Sequence, residues 1–158
     1  MRDVEFFTGG TAAPEGSMIG YTIAGHVNIV ASNKKALEAW RSDIHTAAAE
    51  VAHELFQGPV VVEATFLVKR PISTPKWKLW VQTSPDLDKY ARALLDAMTG
   101  VVYRDDGQVA RLAVEKVYAD PGQQFGVRVV VREIIEERLL AKKSQMPLGD
   151  AAMSLGEA

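Results

Sequence analysis

Asp86 and Asp88 stand one residue apart in Pro85-Asp86-Leu87-Asp88-Lys89-Tyr90, where a helix is expected to open, and a second acidic pair follows in Tyr103-Arg104-Asp105-Asp106-Gly107-Gln108-Val109. Carboxylate oxygens brought together from two segments suit a hard divalent cation such as Mg²⁺, which takes oxygen ligands and few of them from protein. The path between the pairs is short: a helix ending at Gly100, an extended stretch over 101–103, and an Asp-Asp-Gly turn. It predicts that three or four carboxylates converge. Packed anions repel one another, so such a cluster is stable only when a cation neutralises it. A metal held there would polarise a phosphodiester and lower the pKa of an attacking water, with no covalent nucleophile required.

Each piece also has a bland reading. Thr83-Ser84-Pro85-Asp86 fits a capping box with Thr83 as the N-cap, and acids near a helix start are favoured by its dipole. Asp105-Asp106-Gly107 is a common turn. Arg92 lies one helical turn beyond Asp88, where its fork either holds a phosphate oxygen or pairs with Asp88 or Asp96. An EF-hand is excluded because Ala91 stands where the loop needs Gly. The Gly-rich stretch 8–17 lacks the Gly-Lys-Ser/Thr ending of a phosphate loop. His45 and His53, expected two turns apart on the first helix, suit surface or packing roles.

The elements that must position these residues follow from hydropathy. A short strand at 4–7, the loop 8–17 and an extended stretch 18–30 precede a helix whose apolar residues Leu37, Trp40, Ile44, Ala48, Val51 and Leu55 recur at helical spacing, with Gly58-Pro59 as its stop. Residues 60–68 form a β-branched run expected to be buried on much of both faces. Leu87, Tyr90, Ala91, Leu94, Leu95 and Met98 define a second amphipathic helix, and strands are expected at 109–118 and 125–135. The order βββαβαβββ predicts an α+β domain, a mixed, largely antiparallel sheet covered by two main helices. Residues 69–84 lose periodicity among prolines, and there Lys69, Arg70, Lys76 and Lys78 interleave with Trp77 and Trp80. Such a loop suits a phosphate backbone with bases stacked on indoles, and otherwise its tryptophans tuck into the core.

A chain of 158 residues with 47% hydrophobic content supports one domain, expected over 1–140, with a flexible tail at 141–158. It has no cysteine, which excludes disulfides and thiolate zinc sites. No membrane span or secretory signal is evident, so the cytoplasm is the expected location. A formal charge of −2 and a pI near 5.9 give no global attraction to nucleic acid, which leaves that task to a local basic surface.

At Asp86-Leu87-Asp88-Lys89, Arg92, Asp96-Ala97-Met98 and Asp105-Asp106-Gly107-Gln108-Val109 the chain resembles the RusA-type Holliday junction resolvases, with weaker similarity reaching 14–17 and Trp40-Arg41. The resemblance implies a small α+β domain acting as a homodimer on four-way DNA junctions, in a bacterial host and with a phage or prophage gene as one source. It implies that Asp86, Asp88 and Asp106 are metal ligands for Mg²⁺ with Mn²⁺ as a substitute, and that Arg92 stands where a catalytic lysine is usual. Arginine keeps the charge and loses any proton-transfer role. Asp105 becomes a second-sphere helper, and Lys69, Arg70, Lys76, Trp77, Lys78 and Lys89 become DNA contacts. Two rival readings are a non-catalytic junction-binding or phage structural protein that retains the fold, and a hydrolase of small nucleotides.

Overall fold

The computed structural model describes residues 2–16, 18–31 and 33–135. The helix expected from residue 136 and the tail 141–158 lie outside them. Strand β1 (Asp3–Gly9) is followed by the hairpin β2 (Met18–Ile23) and β3 (His26–Ala31), helix α1 (Lys34–Val51), β4 (Val60–Val68), helix α2 (Leu87–Met98), a 3₁₀ turn (Asp106–Gln108), β5 (Val109–Tyr118) and β6 (Gly126–Glu133). The four-stranded sheet has the order β1-β6-β4-β5, with β4 and β5 parallel and the other pairs antiparallel, while β2 and β3 form a separate ribbon. The expected α+β class and mixed, largely antiparallel sheet are therefore observed.

Along β4, Val60, Val62, Ala64 and Phe66 are buried and alternate with half-buried Val61, Glu63, Thr65 and Leu67. This corrects the expectation of burial on both faces: a β-branched run is compatible with either, and here only one face meets the helices. The other face carries the Arg132–Glu63 ion pair at 2.6 Å and a hydrogen bond from Thr65 to Glu115 at 2.9 Å. The core joins Val127, Val129 and Val131 of β6 to Trp40, Ile44 and Ala48 of α1 and to Tyr90, Leu94, Ala97 and Met98 of α2. Among the described residues no helix is long and apolar enough to cross a membrane.

Helix α1 ends at Val51, so His53 lies beyond it, unlike the expected helical pair with His45. The chain leaves the helix because Phe56 is drawn into the core and its amide donates to the Val102 carbonyl at 2.8 Å. The stretch 101–103 is likewise a correction. It forms a buried turn, not a strand: the amides of Val101 and Val102 both donate to the Met98 carbonyl, and the Gly100 amide donates to Tyr103 at 2.7 Å. Gly100 has φ +84°, a backbone conformation that a Cβ disfavours, and so stops α2 as expected. The observed order is βββαβαββ.

Helix α2 is strongly two-faced, burying Tyr90, Ala91, Ala93, Leu94, Ala97 and Met98 while Asp88, Arg92 and Asp96 face solvent. The ring of Tyr90 stacks on Phe66 of β4 with centroids 5.1 Å apart, and its burial raises the phenol pKa. Tyr103 is more strongly affected. Burial first, then the nearby Asp106 and Asp96 carboxylates, push its hydroxyl far above the usual tyrosine range, so it stays protonated and donates to the Leu95 carbonyl at 3.0 Å.

Candidate metal and nucleic-acid site

The N-cap of α2 is Asp86, not Thr83, and its side chain makes no capping hydrogen bond. The capping box expected at 83–86 is absent, and the Asp86 carboxylate is left exposed and without an ion pair among the described residues. What holds the segment in place is Lys116 of β5, whose ammonium donates to the carbonyls of Thr83 and Pro85 at 2.7 Å each. Residues 79–81 run beside the same end of β5: Tyr118 donates to the Leu79 carbonyl at 2.9 Å, and Trp80 bridges to Val117. The peptide Ser84-Pro85 is cis. Hydrogen bonds from a charged group contribute about 1.5–3 kcal/mol. Lys116→Met should therefore lower stability by about that amount and reduce DNA cleavage further, because the start of α2 loses its anchor. Urea denaturation alongside a cleavage assay checks both.

The second acidic pair divides its labour. Asp105 caps the 3₁₀ turn, its side chain accepting from the Gly107 amide at 2.7 Å. Gln108 completes the turn with its whole side-chain amide. Its oxygen accepts from the amides of Arg104 and Asp105 at 2.9 and 3.2 Å, and its nitrogen donates to the carbonyls of Phe56 and Gly58 at 2.9 and 3.0 Å. Asp106 carries no such bond and points its charge outward.

Asp88, Arg92 and Asp106 line one open cavity of about 440 Å³ between α2 and β5, whose apolar floor is Leu87, Ala91, Leu95, Leu112 and Val114. Arg92 is exposed and forms no ion pair among the described residues, so neither of its expected pairings with Asp88 or Asp96 is present. Asp96 is held instead by Arg41 of α1, whose guanidinium also binds Glu15, both at 2.5 Å. The expected convergence of three or four carboxylates is not met. Among the described residues no three acids or histidines are grouped closely enough to hold a metal ion, since Asp105 is turned into its own cap and Asp86 sits outside the cavity lining.

The basic loop is partly spent on its own shape. Arg70 donates to the carbonyls of Pro75 and Lys78 at 2.8 Å and of Ala119 at 3.3 Å, and its guanidinium lies over the Tyr118 ring. Lys69 sits 5.9 Å from the centre of the Phe125 ring. The tryptophans do not tuck in: Trp77 is 84% exposed and Trp80 55%, and with Lys78, Leu79 and Gln82 they line a cleft of about 430 Å³. Lys76 is exposed on the same loop, and Lys89 is half-buried on α2 with its carbonyl accepting from Glu15.

Sequence reasoning assigned no role to Gln108, Lys116 or Arg41. A glutamine three residues after Asp105 is the one available signal, because it completes a capping box; the other two act across segments that sequence spacing does not join.

A curated relative, the uncharacterized protein YqaN of Bacillus subtilis (strain 168), is 35% identical over 66 residues, or 42% of this chain. That match covers 44% of YqaN, so the chain spans less than half the length of this relative. The family described as Endodeoxyribonuclease RusA matches residues 21–132, from the first hairpin through β6. That stretch takes in the acidic cavity, the tryptophan loop and more than half of the sequence, and the chain belongs to the RusA endodeoxyribonuclease family.

Proposed function

We propose that this protein is a divalent-metal-dependent endodeoxyribonuclease that hydrolyses phosphodiesters in branched DNA, four-way junctions above all. The observation that carries the reading is the shared cavity, in which the unpaired Asp88 and Asp106 carboxylates and the unpaired Arg92 guanidinium meet from two separate elements. The donor chemistry fits Mg²⁺, with Mn²⁺ as a substitute: Mg²⁺ keeps several waters and binds through one or two carboxylates plus substrate phosphate, so a closed cage of three side chains is not required. Asp86 completes the proposed ligand set from the helix cap. Bound there, the ion supplies Lewis-acid polarisation of the scissile phosphate and a water of lowered pKa.

The chain's own residues do the remainder. Arg92 grips a non-bridging phosphate oxygen and stays charged throughout, so it orients and neutralises without transferring a proton. Asp105 and Gln108 hold Asp106 by fixing its turn, and Arg70 holds the loop that presents Lys69, Lys76, Lys78 and the tryptophans to DNA. A homodimer would place two such cavities on one junction, in the cytoplasm of a bacterial host.

The test is cleavage of a synthetic four-way junction with Mg²⁺, against EDTA and against a matched linear duplex. Metal-dependent cutting of the junction is the expected result. Junction binding with no cutting under any divalent ion would instead favour a non-catalytic junction-binding protein. Stacking of a base on an aromatic ring contributes about 1–3 kcal/mol. Trp77→Ala should therefore weaken binding to DNA with unpaired bases by that amount, yet leave linear duplex binding nearly unchanged. Trp40 is buried, so quenching of indole fluorescence by DNA reports on the loop directly.

A further inference from the structure

Helix α2 carries Asp88, Arg92 and Asp96 at successive i, i+4 positions, all exposed. Residues so spaced are neighbours on a helix surface and pair when their charges are opposite. Arg92 therefore has two intrahelical carboxylates competing for it, and one of them, Asp96, takes no part in the cavity. The structure shows why that capture does not occur. Arg41 reaches from α1 to Asp96 at 2.5 Å and holds Glu15 of the 10–16 loop with the same nitrogen.

We propose that Arg41 is a positioning residue that keeps Arg92 available to phosphate by occupying Asp96. This rests on the reading of Arg92 as a phosphate contact. The charges sort accordingly: Arg41 answers Asp96 and Glu15, a cation bound by Asp88 and Asp106 answers those two, and Arg92 alone faces the substrate. Removing Arg41 gives Asp96 back to the helix face, where Arg92 is its nearest cation on α2. The 10–16 loop keeps its other ties, the Glu15 amide to the Lys89 carbonyl and Asn33 to the Pro14 carbonyl, both at 2.9 Å, so loosening of the loop is limited.

The experiment measures binding of a four-way junction at several salt concentrations, with Ca²⁺ replacing Mg²⁺ so that the DNA stays intact. Arg41→Ala should raise Kd about two- to threefold, the size one i, i+4 surface pair can impose. It should also reduce the slope of log K against log salt by about 0.9 for each site engaged, the signature of one lost phosphate contact. Arg92→Ala should reproduce the change in slope, Asp96→Asn alone should leave it intact, and Arg41→Ala combined with Asp96→Asn should restore it. A merely structural Arg41 would leave the double variant as impaired as the single one, and that outcome overturns the proposal. If Arg92→Ala changes neither Kd nor slope, it is the reading of Arg92 itself that fails. Should Arg41→Ala not fold, Arg41→Gln, which retains a donor for Glu15 but no charge, carries the same test.

Discussion

Asp88→Asn should reduce Mg²⁺-dependent junction cleavage by on the order of 10²-fold or more, the scale on which removing one electrostatic stabiliser of a reaction's charge acts. The same variant should bind junction DNA slightly better than wild type when EDTA is present. A bare carboxylate about 6 Å from a phosphate is repelled by roughly 0.7 kcal/mol in water, and asparagine removes that repulsion. Stability should change by less than about 1 kcal/mol, because the loss of a favourable charge at the start of α2 is offset by less crowding against Asp86 and Asp106. Cleavage down, metal-free binding up and folding unchanged is a combination that misfolding cannot produce. If the variant cuts as well as wild type, the chemistry assigned to the cavity is wrong.

The opposite signs matter because two of the carboxylates belong to a helix terminus, where acids also occur for purely local reasons. The structure separates these roles better than spacing does. Asp105 is fully explained as a cap, whereas Asp86 occupies an N-cap position and does not cap, and Asp88 and Asp106 have no partner that accounts for them. Charges left without a local purpose beside an equally unpaired arginine are what the proposed reaction uses.

The parts of the fold that sequence made visible are those decided within a few residues. Helix α2, its stop at Gly100 and the bounds of β5 follow from periodicity and turn chemistry, and the motif around Asp86, Asp88, Arg92 and Asp106 pointed to a pair of segments that do share a cavity. What was hidden depends on pairings between distant segments. The parallel match of β4 with β5 places Leu112 and Val114 under α2, and no local signal gives that register. Val101, Val102 and Tyr103 read as a strand because they are β-branched and aromatic, yet burial alone produces the same composition, and here they line a tight turn. Lys116 and Arg41 look like ordinary surface cations until the segments they tie together are known.

Gln108 is the residue on which the geometry of Asp106 most depends, and Gln108→Ala should show it. Four hydrogen bonds vanish at once, two that close the 3₁₀ turn and two that moor it to the carbonyls of Phe56 and Gly58. At about 0.5–1.5 kcal/mol each, the expected loss of stability is roughly 2–4 kcal/mol, visible as a lower urea midpoint with an unchanged slope. Gln108→Glu is the sharper comparison. Its carboxylate still accepts from the amides of Arg104 and Asp105 but cannot donate to Phe56 and Gly58, and it sets a negative charge against two carbonyl oxygens. It should therefore keep the turn and lose the mooring, destabilising the fold about as much as alanine does. In both variants cleavage at low temperature, where the protein remains folded, should fall well below wild type, because Asp106 is no longer held opposite Asp88 across the cavity. A Gln108→Ala protein that stays folded and cuts at the wild-type rate would show that Asp106 needs no such mooring, and would remove the structural reason for a glutamine at this position.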